Sequence, residues 1–306
     1  MRKYTITQFN KDFPTDESCL EWLKNYLHPD GIYCPACGDI TKHHKVTKRS
    51  CYACDNCGNH VYPMAGTIFE HSSTPLKLWF YAIYLMSATR CGISAKQIQR
   101  ETGVTYKTAW RMFKQIRSLL QDDTSKLSGE VEVDETYVGG KRHGTRGRGA
   151  EGKTAVVGAV ERDGRVIAKV VPDVKRHTLV PFMSRRVDRK ATLYTDTFPS
   201  YDHMTRIGYT HLRIAHQAKE YVRGTVHTNT IEGFWSLLKR GIGGVYHSVS
   251  EKYLQSYINE YGFRYNHRKD EKPMFLTVLE KGLGYLLSIT HCHVIGTHLS
   301  PNHTLL

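Results

Sequence analysis

The chain has no run of about 18 apolar residues, so no membrane-spanning helix is expected in its 306 residues. Its start, Met1-Arg2-Lys3-Tyr4-Thr5, does not lead into an apolar secretory core. Both absences lead us to expect a protein of the reducing cytoplasm, where paired cysteines are more often metal ligands than disulfides. Acidic residues are scarce: 29 Asp and Glu stand against 43 Lys and Arg, a formal charge of +14. With 40% hydrophobic residues the chain reads as globular rather than disordered. Its charge fits a polyanionic partner, with a merely solvated basic surface as the plainer alternative.

Eight cysteines are present, four of them paired as Cys34-Pro35-Ala36-Cys37 and Cys54-Asp55-Asn56-Cys57. The gap between the pairs falls within the spacing of a four-cysteine zinc site, and a glycine (Gly38, Gly58) follows each pair. Four thiolates would close the shell around a structural Zn2+. A redox dithiol or two disulfides fit a matched double pair less well. Cys51 is near enough for a Cys51/Cys54 pair to compete with Cys54/Cys57, while Cys19, Cys91 and Cys292 stand alone and read as buried small hydrophobes. Between the pairs, Lys42 to Arg49 predicts a basic hairpin whose Lys42, Lys45, Lys48 and Arg49 would contact phosphate, or simply face water.

From Pro75 to Leu120 the pattern turns helical. Gly103 reads as a turn and Thr105 with Thr108 as a helix start; Ala109, Met112, Phe113 and Ile116 would face inward. Tyr106, Lys107, Thr108, Arg111 and Lys114 would then face outward, as on the recognition helix of a helix-turn-helix, although an ordinary helical hairpin also fits.

After Lys126 an alternating strand, Glu130 to Val138, carries Asp134, and a glycine-rich basic loop containing Arg146 and Arg148 follows. Two further strands flank the turn Arg162-Asp163-Gly164; a helix over 177–186 and a strand ending at Asp196 complete the run. In the later segment from Asn229 to Arg240, Ile231, Phe234, Trp235 and Leu238 mark a buried helix face, and Glu232 and Lys239 lie on another. The order is that of an α/β layer fold resembling ribonuclease H, in which Asp134 and Asp196 would be neighbours. Carboxylates from two strands and a helix can hold a pair of hard cations. A plainer reading makes Asn229 an N-cap and Glu232 its capping-box partner. A helix over 253–268 would leave Arg264 and Arg268 for phosphate, and His216, Arg223 and His227 would flank the site.

The chain resembles DDE-type bacterial insertion-sequence transposases of the group with an N-terminal zinc ribbon, related to the Merlin transposons. The resemblance rests on Cys34-Pro35-Ala36-Cys37, Thr67-Ile68-Phe69-Glu70-His71 and Val133-Asp134-Glu135-Thr136-Tyr137-Val138-Gly139-Gly140. It continues through Tyr194-Thr195-Asp196-Thr197-Phe198, through His227 to Trp235, and through Tyr265-Asn266-His267-Arg268. It implies a ribonuclease-H-like catalytic domain using Mg2+ or Mn2+, with Asp134 and Asp196 as ligands and Lys239 as the basic residue beyond the third site. That third position is Glu232, by the preference of a hard cation for carboxylate, or Asn229. It further implies double-stranded DNA as partner, both terminal inverted repeats and target, and a homodimer or higher oligomer at the nucleoid. The domain organisation that follows is 1–65 for an N-terminal helix and zinc ribbon, 66–125 for the helical DNA-binding segment, 126–285 for the catalytic domain and 286–306 for a tail. A zinc-ribbon regulator on an inactive scaffold and a structure-specific nuclease remain open.

Overall fold

The computed structural model describes residues 4–89, 91–121, 125–139, 152–214 and 227–283. The chain divides into two compact units, one built from residues 2–89, 95–119 and the stretch after 270, the other from residues 90–94 and 120–270.

In the first unit, α1 (Ile6–Asp12) and α2 (Asp16–Leu27) begin at Thr5 and Thr15. Each threonine hydroxyl accepts from the N–H three residues on, and the side chain of Gln8 or Ser18 accepts in return from the threonine N–H. Five short strands follow: β1 (Tyr33–Cys34), β2 (Asp39–Ile40), β3 (His43–Lys45), β4 (Tyr52–Cys54) and β5 (His60–Val61). β1 pairs with β2, and β3, β4 and β5 form an antiparallel sheet. α3 (Leu76–Ala88) buries Trp79, Phe80, Ile83 and Met86. α4 (Ala95–Thr102) and α5 (Tyr106–Ser118) meet at Gly103, whose φ of +71° suits a residue without Cβ. Thr105 caps α5, and Ala109, Met112, Phe113 and Ile116 are buried as the spacing predicts.

The second unit holds β6 (Glu130–Gly139), β7 (Lys153–Glu161), β8 (Val166–Val171), α6 (Arg176–Arg186), β9 (Thr192–Asp196), β10 (Thr210–Ile214), α7 (Asn229–Gly241) and α8 (Glu251–Asn266). The sheet order is β10-β9-β6-β7-β8, with β6, β7 and β8 antiparallel and β9 and β10 parallel to β6. One face, through Val131, Val133 and Val157, packs on Leu179, Phe182 and Met183 of α6. The other, through Val138, Val156 and Val160, packs on Ile231, Phe234, Trp235 and Leu238 of α7 and on Leu254 and Ile258 of α8. This is the expected ribonuclease-H-like layering. The fifth strand, β10, was not expected from the sequence: Thr210-His211-Leu212-Arg213-Ile214 buries only Ile214, so the edge strand gives little hydrophobic signal.

The outer edge of β8 is covered by side-chain amides of α8. Asn266 accepts from the Val166 N–H at 2.7 Å and donates to the Val166 carbonyl at 3.1 Å. Gln255 accepts from the Val170 N–H at 2.8 Å and donates to the Ala168 carbonyl at 3.2 Å. Edge groups that would otherwise pair with another chain are thereby satisfied. The last described helix, α9 (Met274–Lys281), packs on α3 within the first unit. Among the described residues no helix is long and apolar enough to cross a membrane.

Candidate active site and metal centre

β6 and β9 run side by side, and their last paired residues are Glu132 and Tyr194. Two residues further on stand Asp134 and Asp196, which the two-residue period places on the same sheet face as Glu132 and Tyr194. The carboxyl of half-buried Asp134 is pushed up to about 7, first by burial and then by the charges of Glu135 and Asp196. Asp196 accepts from the Phe198 N–H at 2.9 Å, a local bond that orients it. Two hard oxygen donors, one of them kept from ionising by burial and neighbouring negative charge, suit a divalent cation, which would relieve that cost.

α7 approaches this face closely because Gly158, opposite Asp134 on β7, has no side chain. A Cβ there would lie 2.6 Å from Cη2 and 2.7 Å from Cζ2 of Trp235, and 3.1 Å from Cδ1 of Ile231. Trp235 uses the approach to donate its indole N–H to Asp134 Oδ2 at 3.1 Å. Glu232 and Lys239 lie one turn before and one turn after Trp235, both exposed. The Glu232 carboxylate accepts from the Thr228 hydroxyl at 3.0 Å. Asp134, Asp196 and Glu232 do not close into a trio: among the described residues, only the four cysteines gather three or more metal-capable atoms within 4.8 Å of one another. Asn229, the alternative third residue, is the exposed first residue of α7; the N-cap is Thr228, so an Asn229–Glu232 capping box is not formed.

The first turn of α7 is capped instead by Glu132, which the sequence reading passed over. Its carboxylate accepts from the Thr230 N–H at 2.8 Å, the Ile231 N–H at 3.1 Å and the Thr230 hydroxyl at 2.9 Å. It also accepts from Arg162 Nε at 2.9 Å and faces His227 Nδ1 at 3.1 Å. One sequence signal was available. Glu132 shares its strand face with Asp134, and a sheet covered by helices on both sides leaves no solvent face for it. Glu135 points to the opposite face, where its carboxylate accepts from the hydroxyl of fully buried Tyr201 at 2.9 Å.

In the first unit, Cys34, Cys37, Cys54 and Cys57 converge, their sulfurs within 4.8 Å of one another. Gly38 and Gly58, at φ +72° and +73°, turn two matching knuckles, each donating its N–H to the carbonyl of the first cysteine of its pair at 2.9 Å. The Cys54 thiol is pushed down to about 6, first by the Thr41 hydroxyl at 3.1 Å and also by backbone N–H groups of Cys57 and Asn56. The Cys37 thiol is held up to about 12 by hydrogen bonds among the cysteines, chiefly with Cys57 and Cys34. Such a set of sulfur donors suits Zn2+ with a closed shell. Cys51 is buried outside the set, and Cys19 is buried too, whereas Cys91 is exposed, against expectation.

Lys42, Lys48 and Arg49 are exposed on the β3–β4 hairpin, and Lys48 turns its tip at φ +63°. Lys45 is half-buried and lies 3.9 Å from Glu17. On α5, Tyr106, Lys107 and Lys114 are exposed as expected, with Lys96 over the Tyr106 ring. Arg111 is exposed as well, yet its guanidinium donates to the Ser72 hydroxyl at 3.0 Å and lies over Trp79. Arg264 pairs with Glu260 at 2.8 Å, and Arg268 donates to the Gly164 and Tyr265 carbonyls, so both have roles within the fold. Arg146, Arg148, His216 and Arg223 lie outside the described residues.

A family model described as an ISXO2-like transposase domain matches residues 126–266, and one described as a transposase zinc-ribbon domain matches residues 14–60. A protein of Halobacterium salinarum, described as an uncharacterized protein in transposable element ISH50, is 30% identical over 295 residues, covering 89% of this chain and 99% of that one. A transposase-like protein of Haemophilus influenzae is 30% identical over 119 residues, 39% of this chain and 95% of that one. Among solved structures, a pre-cleavage Mos1 transpososome is 12% identical with a TM-score of 0.28, over 76% of this chain and 82% of that one. A simian T-cell lymphotropic virus intasome in complex with PP2A regulatory subunit B56 gamma is 16% identical with a TM-score of 0.25, over 74% and 75%. With both domains matched and a full-length relative, the chain belongs to the ISXO2-like insertion-sequence transposases that carry a zinc ribbon.

Proposed function

We propose that the protein binds the terminal inverted repeats of its own element and catalyses strand cleavage and strand transfer with divalent cations. Family membership supports the reaction class. The placement of Asp134 within β6 and Asp196 at the end of β9, each two residues past the last paired residues of these adjacent parallel strands, carries the assignment of the site. Mg2+ or Mn2+, when bound, would sharpen an attacking oxygen and stabilise the leaving one. The chain's part is to hold negative charge in place. Asp134, oriented by Trp235, and Asp196, oriented by its turn, would supply the ligands, with Glu232 as the third group and Asn229 as its alternative. Lys239, further along α7, would steady a phosphate.

Zn2+ in the four-cysteine ribbon would hold the basic hairpin of Lys42, Lys48 and Arg49 toward the DNA backbone, and α5 would present Tyr106, Lys107 and Lys114 to a groove. A dimer or larger assembly would bring two ends together in the cytoplasm. The test is a cleavage and joining assay on a labelled duplex bearing the element's terminal repeats. Binding without cutting would indicate a regulator, and cutting without end preference or joining a nuclease.

A further inference from the structure

Glu132 is fully buried, 0% exposed, and five polar groups from three parts of the second unit converge on its carboxylate. Arg162, on the turn after β7, supplies the compensating charge. Its guanidinium also lies 3.9 Å over the Tyr194 ring and donates to the His227 carbonyl at 3.1 Å. Glu132 and Tyr194 are cross-strand partners, and each precedes an aspartate of the candidate site by two residues. A layer made of Glu132, Arg162 and Tyr194 therefore lies directly before the carboxylate pair along both strands, and the start of α7 is bonded into it.

The spacing of the two attachments fixes the helix along the strand. From Glu132 to Asp134 the strand advances about 6.7 Å. From Thr230, held by Glu132, to Trp235, held by Asp134, the helix advances about 7.5 Å. Two near-equal steps fix the start of α7 along β6, and with it the positions of Asn229 and Glu232. A helix N-terminus needs only a neutral or solvent cap; a buried carboxylate with its own arginine costs desolvation that a Ser or Asp cap would avoid. The geometry points to Glu132 as a positioning residue for the metal site: it holds the helix that carries the third ligand in register with the strands that carry the first two. This rests on the divalent-cation reading of Asp134 and Asp196.

The test is direct Mn2+ binding to the zinc-loaded full chain, read from the free-Mn2+ electron paramagnetic resonance signal. Four forms are compared: wild type, D134N, E132Q and T230V. E132Q keeps the shape and loses the charge; T230V removes only the hydroxyl arm and protects the test if E132Q fails to fold. D134N should lose the site. E132Q should weaken Mn2+ binding about 10-fold or more, the usual effect of losing a ligand's supporting partner. T230V should weaken it less, and both should keep zinc content and circular dichroism. Hydrogen exchange without Mn2+ should rise in the first turn of α7 in both variants, while the sheet stays protected. Folded E132Q binding Mn2+ as wild type does would overturn the proposal, leaving Glu132 a structural cap; if E132Q does not fold, unchanged binding in T230V overturns it. Equal binding by wild type and D134N would instead defeat the cation reading itself, and this proposal with it.

Discussion

Trp235 donates its indole N–H to Asp134 at 3.1 Å, and it reaches that position only because the residue opposite Asp134 is Gly158. Helix, strand and candidate ligand are thus joined at one point. Replacing Gly158 by alanine should place a methyl group in the space of the indole and the Ile231 side chain. Overpacking of this kind costs about 1–3 kcal/mol. Chemical denaturation should show the loss, and Mn2+ binding should weaken as Trp235 is displaced.

The Asp134 carboxyl, raised to about 7 from an ordinary value of 3.8, sets a pH dependence with a defined sign. Below about pH 4 it is protonated in folded and unfolded chains alike and costs nothing. As pH rises toward 7 the unfolded chain ionises first, so the cation-free protein loses stability; above 7 the loss is complete and constant. At 1.36 kcal/mol per pH unit the cost reaches at most about 4 kcal/mol. Without divalent cation, D134N should therefore be the more stable protein above pH 7, with the difference shrinking toward pH 4. Denaturation at a series of pH values checks this. Mn2+ affinity of the wild type should rise through pH 7, because cation and proton compete for one carboxylate.

Zinc content discriminates the cysteines. C37A, C54A and C57A should each lose the single bound zinc, whereas C51A should retain it, because Cys51 lies outside the converging set. Structural zinc in small ribbons contributes roughly 10–16 kcal/mol of binding free energy. Chelation should therefore unfold residues 33–61 and leave the five-stranded sheet intact, which hydrogen exchange resolves.

The amide cover of β8 gives a further prediction. N266D keeps an acceptor for the Val166 N–H but cannot donate to the Val166 carbonyl. An unmet buried polar group costs about 1–3 kcal/mol. The variant should be destabilised by that amount in urea and should self-associate more readily as the strand edge opens, read by light scattering.

Much of this arrangement was legible in the sequence because it follows from local spacing. The double Cys-x-x-Cys with its glycines implied the ribbon, and alternation in 130–138 with a turn at Arg162-Asp163-Gly164 implied the meander of β6, β7 and β8. Asp134 and Asp196 were expected as neighbours from element order, and β6 and β9 do lie side by side. What escaped depends on contacts between distant segments. β10 is an edge strand with one buried residue. Glu132 reads as the polar half of an alternating strand until α7 covers that face, 98 residues later in the chain. Arg111, Arg264 and Arg268 look like free cations until Ser72, Glu260 and the Gly164 carbonyl meet them.

Asp134 and Asp196 are proposed to form a divalent-cation site for cutting and joining DNA. The most direct test incubates zinc-loaded wild type and D134N with Mn2+, a labelled duplex bearing the element's terminal repeats, and a target plasmid. Wild type should cut at the repeat boundary and join the end to the plasmid, while D134N should bind the same duplex and do neither. Cutting and joining by D134N at the wild-type rate would contradict it.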